Sequence, residues 1–158
     1  MKIGVLADTH IPKRAKDLPP KAYALLSECD GIIHAGDIIN ESTLNKLREI
    51  APVYAVLGNN DVDMKLPERL LLNLEGVHIA VIHDSGDRNG RAKRMRRMFP
   101  EANIVVFGHS HIPVNEQQEG LLLFNPGSAT DKRRQPKHTI GLLHLNDGTA
   151  HGAIVELD

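Results

Sequence analysis

Aromatic residues are scarce in this sequence of 158 residues: they make up 3% of the chain, and tryptophan is absent. Proteins that hold single-stranded nucleic acid stack its bases on aromatic side chains, and few such platforms exist here. An excess of charge of one sign is also missing, because the formal net charge is -1 at pH 7. No overall field attracts the chain to nucleic acid or to a membrane surface, and we expect neither as a partner.

Cysteine and long apolar runs are equally scarce. Cys29 is the single cysteine, so no internal disulfide can form, which suits a reducing cytoplasm. No apolar run could span a membrane, and the run at the start of the chain is too short for a signal peptide. The length and the 41% hydrophobic content suit one domain over residues 1–158. We therefore expect a single-domain cytoplasmic protein.

Short apolar runs rich in valine and isoleucine recur along the first two thirds of the chain: KIGVLA, GIIHA, VYAVL, HIAVI and NIVVF. Such runs are typical of strands that are buried on both faces. Segments with helical spacing of apolar residues lie between them, namely PPKAYALLSEC, ESTLNKLREI with Asn40 as its N-cap, and RAKRMRRMF. The alternation of strands and helices predicts a layered α/β core.

The last third of the chain predicts antiparallel strands instead. The segment IPVNEQQEGLLLF is typical of a hairpin that turns at Glu119 and Gly120. The segment HTIGLLHLNDGTAHGAIVEL is typical of a second hairpin, with its turn at Asn146, Asp147 and Gly148. Neither segment has the spacing of a helix.

Each of the five apolar runs is followed, either directly or after one glycine, by Asp, Asn or His. The segments are Asp8-Thr9-His10, Gly36-Asp37, Gly58-Asn59-Asn60-Asp61, His83-Asp84 and Gly108-His109-Ser110-His111. Ligands of open α/β sheets bind at the carboxyl ends of the strands, so these groups are expected at one place. Each segment alone is explained by a turn or a satisfied polar residue. When these groups lie together, their burial costs free energy unless something pairs with them, which favours a bound cation.

The chemistry of these side chains narrows the choice of cation. Carboxylate and imidazole ligands without a thiolate suit Mn, Fe, Co, Ni or Zn. Seven groups exceed what one ion needs, whereas two ions held about 3.5–4 Å apart are a known device of phosphoester chemistry. In an extended segment, His109 and His111 would point to the same side and could converge on such a centre. No glycine-rich phosphate loop competes with this interpretation.

The five segments resemble the motifs of the calcineurin-like metallophosphoesterases: Asp-x-His, Gly-Asp, Gly-Asn-x-Asp, a single His and Gly-His-x-His. The length and the segment NPGS at 125–128 are most similar to the small, single-domain YfcE-like phosphodiesterase branch. The resemblance implies a two-sheet α/β sandwich of four layers, αββα. It also implies that a metal-bridging hydroxide attacks a small phosphoester substrate. Mn is our first choice in vitro, with Zn, Fe, Ni, Co and Mg as alternatives.

The resemblance also implies roles for individual residues. One ion would be held by Asp8, His10, Asp37 and His111, and the other by Asp37, Asn59, His83 and His109. Asp37 would bridge the two ions, and the catalytic residues would be Asp37, Asn59, Asn60 and His83.

Asn60 departs from the family, because many members have a His there that assists the leaving group or binds phosphate. We expect Asn60→His to restore an acid, with Asp61 orienting the new ring.

Several alternatives stay open at this point. His34 is either a residue that supports the ligands or an ordinary core histidine. Asn125 and Ser128 either edge the site or only shape a turn. Arg88 and Arg91 either meet substrate phosphate or form the solvated start of a helix. The sequence is compatible with a homo-oligomer and does not define one.

The function itself also has alternatives. The same fold serves as a non-catalytic scaffold in a trafficking coat, so the fold alone does not establish catalysis. The presence of all seven ligand types favours an enzyme. Within enzymes, a monoesterase or nucleotidase is the second choice after a phosphodiesterase.

Overall fold

A computed structural model describes all 158 residues, Met1–Asp158. The strands are β1 Lys2–Leu6, β2 Gly31–His34, β3 Val53–Ala55, β4 Arg69–Leu74, β5 Val77–Ile82, β6 Ile104–Val106, β7 Val114–Gln118, β8 Leu121–Asn125, β9 Thr139–Asn146 and β10 Thr149–Glu156. The helices are α1 Pro20–Leu26, α2 Glu41–Arg48 and α3 Arg91–Met98. No helix is both long and apolar enough to cross a membrane.

Two five-stranded sheets stack face to face, with strand orders β10-β9-β1-β2-β3 and β4-β5-β6-β8-β7. Apolar side chains from both sheets fill the space between them, among them Val5, Ile33, Val81, Val106 and Phe124. Helices α1 and α2 pack on the outer face of the first sheet, and α3 packs on the outer face of the second. The predicted four-layer α/β sandwich is confirmed.

The three predicted helices are present. Asn40 caps α2 as predicted, because its side chain accepts a hydrogen bond from the backbone N–H of Ser42 at 2.8 Å. In α3, Ala92 and Met95 are buried against the sheet as the apolar stripe requires. Met98 is the exception, with 40% of its surface exposed.

Both predicted hairpins are confirmed. Strands β7 and β8 are joined by Glu119 and Gly120, and β9 and β10 by Asp147 and Gly148. All four loop residues have positive φ, as the tight turns of hairpins require. Asn146 was expected in the second turn but is the last residue of β9, paired with Thr149.

Strand β4 was not predicted. It is an edge strand whose residues are exposed or half-buried, and its sequence RLLLNL lacks β-branched residues. Leu71, in the middle of this strand, is 73% exposed. The available signal was the pair Glu75-Gly76, which repeats the turn chemistry of Glu119-Gly120 and joins β4 to β5 in the same way.

The five apolar runs are divided between the sheets, with β1, β2 and β3 in the first and β5 and β6 in the second. Strands β1, β2 and β3 are parallel to one another, and β5 is parallel to β6. The polar segments that follow them therefore meet where the two sheets stack, and not along the edge of one sheet.

Candidate metal centre

A group of buried carboxylates and imidazoles forms where the loops after β1, β2, β5 and β6 converge. Ligand atoms of Asp8, His10 and His111 lie within 4.8 Å of one another, and so do those of Asp8, Asp37 and His83. Asp8 Oδ1 is 3.8 Å from His111 Nε2 and 3.9 Å from His83 Nε2. The two groups therefore share Asp8 and form one continuous cluster.

Asp37 lies between the imidazoles of the two groups. Its Oδ2 is 3.5 Å from His10 Nε2 and 3.4 Å from His83 Nε2. The Asn59 amide lies 3.0 Å from His83 Nε2 and, oriented to suit both neighbours, donates to His83 and Asp37. The ring of His109 meets the ring of His83 edge-on, with centroids 5.3 Å apart. Five of the seven residues predicted as metal ligands are therefore buried in the cluster, whereas Asn59 and His109 are exposed beside it, and His109 Nε2 lies 3.9 Å from Asp84 Oδ2. The assignment of all seven to ions stays a prediction.

Unpartnered polar atoms are concentrated in this cluster. Five side-chain nitrogen or oxygen atoms in the chain are buried without a hydrogen-bond partner, and four of them are both carboxylate oxygens of Asp8 and the Nε2 atoms of His10 and His111. Buried polar atoms in proteins almost always have partners. Oxygen and imidazole nitrogen atoms that face one another across a small space fit the donor set of a divalent transition metal.

Two histidines are oriented by backbone carbonyls. Nδ1 of His83 lies 2.7 Å from the carbonyl oxygen of Ala35, and Nδ1 of His111 lies 2.5 Å from that of Asp131. Because a carbonyl oxygen only accepts, each Nδ1 carries the proton and each Nε2 presents a lone pair to the cluster. This arrangement is typical of metal-binding histidines.

The backbone of the ligands is unusual. Asp8, His10, Asp37, His109 and His111 have φ values of 55°, 46°, 60°, 72° and 64°. Left-handed backbone is uncommon for residues other than glycine and concentrates at functional sites. The expectation that His109 and His111 converge because they share an extended segment is wrong. Strand β6 ends at Val106, and left-handed turns orient both rings.

Two glycines of the predicted motifs allow the loops to approach one another. A Cβ atom on Gly36 would lie 2.7 Å from His83 Nδ1. A Cβ atom on Gly58 would overlap the backbone and the carboxylate of Asp37. The glycines therefore bring the ligand loops closer than any side chain would permit.

Asp61 was expected to orient a ring at position 60, but its carboxylate has other partners. It is buried and accepts hydrogen bonds from the backbone N–H groups of Asp37 at 2.8 Å, Ile39 at 2.6 Å and Gly58 at 2.9 Å. Asp61 thus fastens the loop that carries Asp37 to the loop that carries Asn59. The sequence motif did not reveal this role, because all three partners are backbone groups.

Asn60 also contacts Asp37. Its backbone N–H donates to Asp37 Oδ1 and its side-chain amide donates to Asp37 Oδ2, both at 2.9 Å. The side chain therefore restrains the carboxylate that the family resemblance assigns as the bridge. Through this contact Asn60 can position Asp37, a role that does not require it to protonate a leaving group.

His34 supports the ligands from behind the cluster. It is fully buried, its Nδ1 accepts from the backbone N–H of Gly36 at 3.1 Å, and its Nε2 lies 3.0 Å from Thr9 Oγ1. Since Nδ1 accepts, Nε2 carries the proton and donates to Thr9. Burial lowers the pKa of His34 to about 3, so the ring is neutral. His34 thereby connects the segments that carry Asp8 and Asp37.

The segment at 125–128 lies at the edge of the site, which is the first of the two alternatives for Asn125 and Ser128, and it does more than shape a turn. Ser128 Oγ donates to the backbone carbonyl of Asp8 at 2.8 Å, and the amide of Asn125 donates to that of Gly108 at 3.2 Å. Thr130 Oγ1 donates to the carbonyl of Thr9 at 2.5 Å, a contact that the sequence did not suggest. These bonds fix the loops after β1 and β6 without touching the ligand atoms.

Burial and mutual interaction shift the pKa values of the cluster in opposite directions. Burial raises the pKa of Asp8 to about 7. Burial also opposes ionisation of Asp37, but the neighbouring His83 and the hydrogen bonds from Asn60 outweigh it and hold the pKa of Asp37 below its usual value. Burial alone would lower the pKa of His83, yet Asp37 and Asp8 raise it. Burial lowers the pKa of both His10 and His111.

A cleft of about 550 Å³ opens beside the cluster. Asn59, His83 and Asp84 line its polar side. Val62 and Met98 line its apolar side, although they are 86% and 40% exposed to solvent. The volume lies within the range of about 300–1,000 Å³ that is usual for ligand sites. The cleft therefore offers room for a partly apolar group next to the cluster.

Comparisons with known proteins show the family and the fold of this chain. A model of the calcineurin-like phosphoesterase superfamily domain matches residues 1–148. A probable metallophosphoesterase of Methanocaldococcus jannaschii is 37% identical over 136 residues, which cover 84% of this chain and 70% of that protein. Vps29 of Entamoeba histolytica complexed with Zn²⁺ has a TM-score of 0.81 at 24% identity, over 99% of each chain. An archaeal phosphodiesterase has a TM-score of 0.74 at 21% identity, over 98% of this chain and 100% of that one.

Proposed function

The chain belongs to the calcineurin-like phosphoesterase superfamily, and from that premise we propose that it hydrolyses phosphodiesters with two divalent transition-metal ions. The observation that best supports this function is the group of buried, unpartnered atoms on Asp8, His10 and His111. Without a cation, these atoms are desolvated with no compensation. A pair of cations supplies the missing partner.

The ligand sets are those that the family resemblance implies, and the two buried groups around Asp8 support them. We assign one ion to Asp8, His10, Asp37 and His111, and the other to Asp37, Asn59, His83 and His109. The family resemblance assigns Asp37 as the bridge, and its Oδ2 lies 3.5 Å from His10 Nε2 and 3.4 Å from His83 Nε2, one imidazole of each set, which supports that role. Ligands without a thiolate suit Mn, with Zn, Fe, Co, Ni and Mg as alternatives.

Two bound divalent ions lower the pKa of a water molecule and neutralise charge on the phosphate. The protein's own contribution is to hold the ligands in place. Carbonyl groups orient the rings of His83 and His111, so that each Nε2 faces the cluster. Asn60 restrains the carboxylate of Asp37 through two hydrogen bonds. These contacts preorganise the site before substrate binds.

The presence of two cavities next to residues of the cluster supports a diester over a monoester as the substrate. The cleft of about 550 Å³ lies beside His83, and a second cavity of about 270 Å³ lies beside Ser110, between His109 and His111 in the sequence. A phosphodiester carries two ester arms, and one arm can enter each cavity. A monoester has one arm and needs only one cavity, so a monoesterase or nucleotidase is the second candidate.

The likeness to Vps29 raises a different alternative, a scaffold without catalysis. Its identity of 24% shows the fold and does not bear on catalysis. A scaffold binds its partners through its surface and does not need buried ligands around a metal pair. The gathering of five buried ligand residues, with Asn59 and His109 beside His83, favours an enzyme.

A screen of metals against substrates tests the proposal. Chelator-treated protein is reloaded with Mn, Zn, Fe, Co, Ni or Mg and assayed on bis(p-nitrophenyl) phosphate, p-nitrophenyl phosphate and cyclic nucleotides. We expect two ions per chain, no turnover after chelation, and recovery with Mn, with the diester cleaved fastest. Full activity in metal-free protein, or fewer than one ion per chain after reloading, would contradict the proposal. Faster cleavage of the monoester would favour the second candidate.

A further inference from the structure

The smaller cavity lies between the start of α3 and the start of β7. Its volume is about 270 Å³. The residues that line it are Arg88, Arg91, Ser110, Ile112, Pro113, Val114 and Glu116. Because Ser110 stands between two predicted ligands, His109 and His111, the cavity adjoins the metal centre.

Arg91 supplies an unsatisfied donor at this cavity. Its Nε is the fifth buried side-chain atom without a hydrogen-bond partner, and the other four belong to the metal centre. The guanidinium lies over the ring of Phe107, with its carbon 4.6 Å from the ring centroid. Its hydrogen bond to the carbonyl of Gly86 is long, at 3.4 Å. Arg91 is thus held in position by stacking while its buried Nε has no acceptor.

Arg94, on the same helix, is a useful comparison because its guanidinium has a structural role. Its Nε donates to the carbonyl of Ser85 at 2.9 Å, and a terminal nitrogen donates to that of Asp87 at 2.5 Å. The remaining nitrogen reaches the carbonyl of Asn89 at 3.5 Å. Arg94 therefore stabilises the loop before α3. Arg91 makes no comparable set of bonds, so stabilising that loop does not explain its position.

The charge of the cavity is positive. Arg88 and Arg91 contribute two guanidinium groups, and Glu116 on β7 contributes one carboxylate. Asp84 is near enough to interact with Arg91, but it lines the larger cleft on the other side. A guanidinium presents its donors as a planar fork that matches the paired oxygens of a carboxylate or phosphate. A neutral or cationic arm leaves these donors without acceptors.

We propose that this cavity binds an anionic group, a carboxylate or a phosphate, on one ester arm of the substrate through Arg91 and Arg88. The proposal rests on the proposed phosphodiesterase function and adds a substrate class to it. The substrate is a diester with a partly apolar arm beside Val62 and Met98 and an oxyanion-bearing arm beside Ser110. Arg88 and Arg91 are then specificity residues, and the metal ligands carry the reaction.

The test compares diesters that share one leaving group. Each carries p-nitrophenyl on one arm, and propyl, 2-carboxyethyl or 2-phosphonoethyl on the other. We expect the wild-type protein loaded with Mn to prefer an anionic arm over propyl in kcat/KM. Arg91→Gln and Arg88→Gln should each lower that preference, by roughly tenfold for the loss of one charge-assisted hydrogen bond. Arg91→Lys should keep part of the preference because it keeps the charge.

Arg97→Gln is the matched control. Arg97 lies on the same helix and carries the same charge, but it is exposed and does not line the cavity. The control should leave both the rates and the preference unchanged. An equal loss of preference in Arg97→Gln would show that only the overall charge of the helix matters, which would overturn the proposal. If Arg91→Gln does not fold, Arg88→Gln and Arg91→Lys carry the test.

A measurement without turnover separates this proposal from the proposed function. The Nε–H signal of Arg91 in ¹⁵N-edited NMR spectra should shift when 3-phosphonopropionate is added to the Mn-free protein, and that of Arg94 should not. A selective shift without any hydrolysis would contradict the phosphodiesterase function and keep the anion site. Hydrolysis with no preference for anionic arms and no shift of the Arg91 signal would overturn the anion site and keep the phosphodiesterase.

Discussion

Two regions of the molecule bring imidazole rings together, and they differ in their surroundings. At the metal centre the rings of His10 and His111 stack with centroids 5.3 Å apart. Across the last hairpin, His144 and His151 are directly paired with centroids 6.5 Å apart. The first pair is buried, but both residues of the second are exposed on regular strands.

The difference between the two pairs lies in what else each one meets. Nε2 of His10 lies 3.5 Å from Asp37 Oδ2, and Nε2 of His111 lies 3.8 Å from Asp8 Oδ1. Both histidines have left-handed backbone. The hairpin pair has ordinary strand geometry and forms no ion pair. Proximity of two histidines therefore does not distinguish a metal centre. A metal centre is distinguished by histidines that are buried beside carboxylates and whose rings are oriented by their loops.

The largest expected effect comes from removing the shared carboxylate. Asp37→Asn keeps the shape of the side chain but removes the charge that faces His10 and His83. We expect loss of at least one bound ion and a fall in kcat/KM of roughly 10³-fold or more, since metal-assisted charge stabilisation is worth several kcal/mol. The double variant His144→Ala/His151→Ala should keep both ions and full activity. Near wild-type turnover of Asp37→Asn with two ions bound would show that the bridge is assigned wrongly.

The next effect concerns the stability of metal-free protein. Burial raises the pKa of Asp8 to about 7 from 3.8, so the native state keeps a proton that the unfolded chain releases. This term destabilises the metal-free protein progressively as the pH rises from about 4 to about 7, and by up to about 4 kcal/mol above that range. Asp8→Asn should therefore be more stable than the wild type at pH 8 and similar to it at pH 4.

Denaturant titrations of chelated protein measure this difference, and the hairpin supplies the control. Asp147→Asn, at the exposed turn between β9 and β10, should change the free energy of unfolding little at either pH. Adding Mn should make the wild type more stable than Asp8→Asn at pH 8, because the wild type binds the ions and Asp8→Asn binds them weakly. Equal stability of wild-type and Asp8→Asn protein at pH 8 without metal would mean that the buried carboxylate is compensated in some other way.

The sequence was informative where polar residues follow buried strands. Asp8, Asp37 and His83 could be placed at one site because each comes within three residues of the end of such a strand, and the sheets bring those ends together. The turns at Glu119 and Asp147 were predictable because the glycine that follows each one signals a tight hairpin.

Other features depend on contacts that no local pattern encodes. Asp61 binds three backbone N–H groups, two of which lie more than 20 residues away in the chain. The left-handed backbone of His109 and His111 replaces the extended geometry that their spacing suggests. Strand β4 pairs through its backbone at the edge of a sheet, so its half-buried side chains leave a weak pattern. These are tertiary effects, and they decide how the ligands are oriented.

A smaller effect is expected at His34. His34→Phe keeps the bulk of the ring but removes the hydrogen bonds to Gly36 and Thr9, which position the loops that carry Asp8 and Asp37. We expect metal affinity or kcat/KM to fall by about 10–100-fold, as is usual for residues that support metal ligands. The pH profile of kcat/KM should keep its shape, since burial lowers the pKa of His34 to about 3 and the ring stays neutral. A lost acidic or basic limb in the profile would instead make His34 a proton donor or acceptor.

The smallest effect is expected at Asn60, where many members of the family have a histidine. We expect the wild type to depend steeply on the pKa of the leaving group, because an amide cannot protonate a departing alkoxide. The structure limits what Asn60→His can add. Asp61 is occupied by three backbone N–H groups and is not free to orient a new ring. We therefore expect the slope across aryl and alkyl diesters to change little.

The same substitution removes the amide that donates to Asp37 Oδ2 at 2.9 Å. Loss of one such bond to a carboxylate corresponds to a fall in kcat/KM of roughly tenfold, uniform across leaving groups. Asn60→Ala is the matched control, because it removes the same bond and adds no ring, and it should lose activity to a similar extent. If Asn60→His cleaves alkyl diesters much faster than Asn60→Ala while both cleave nitrophenyl esters equally, the new imidazole is acting as an acid. The carboxylate of Asp61 would then have to exchange a backbone partner for the ring, and the loop that carries Asp37 would be less firmly held than its hydrogen bonds indicate.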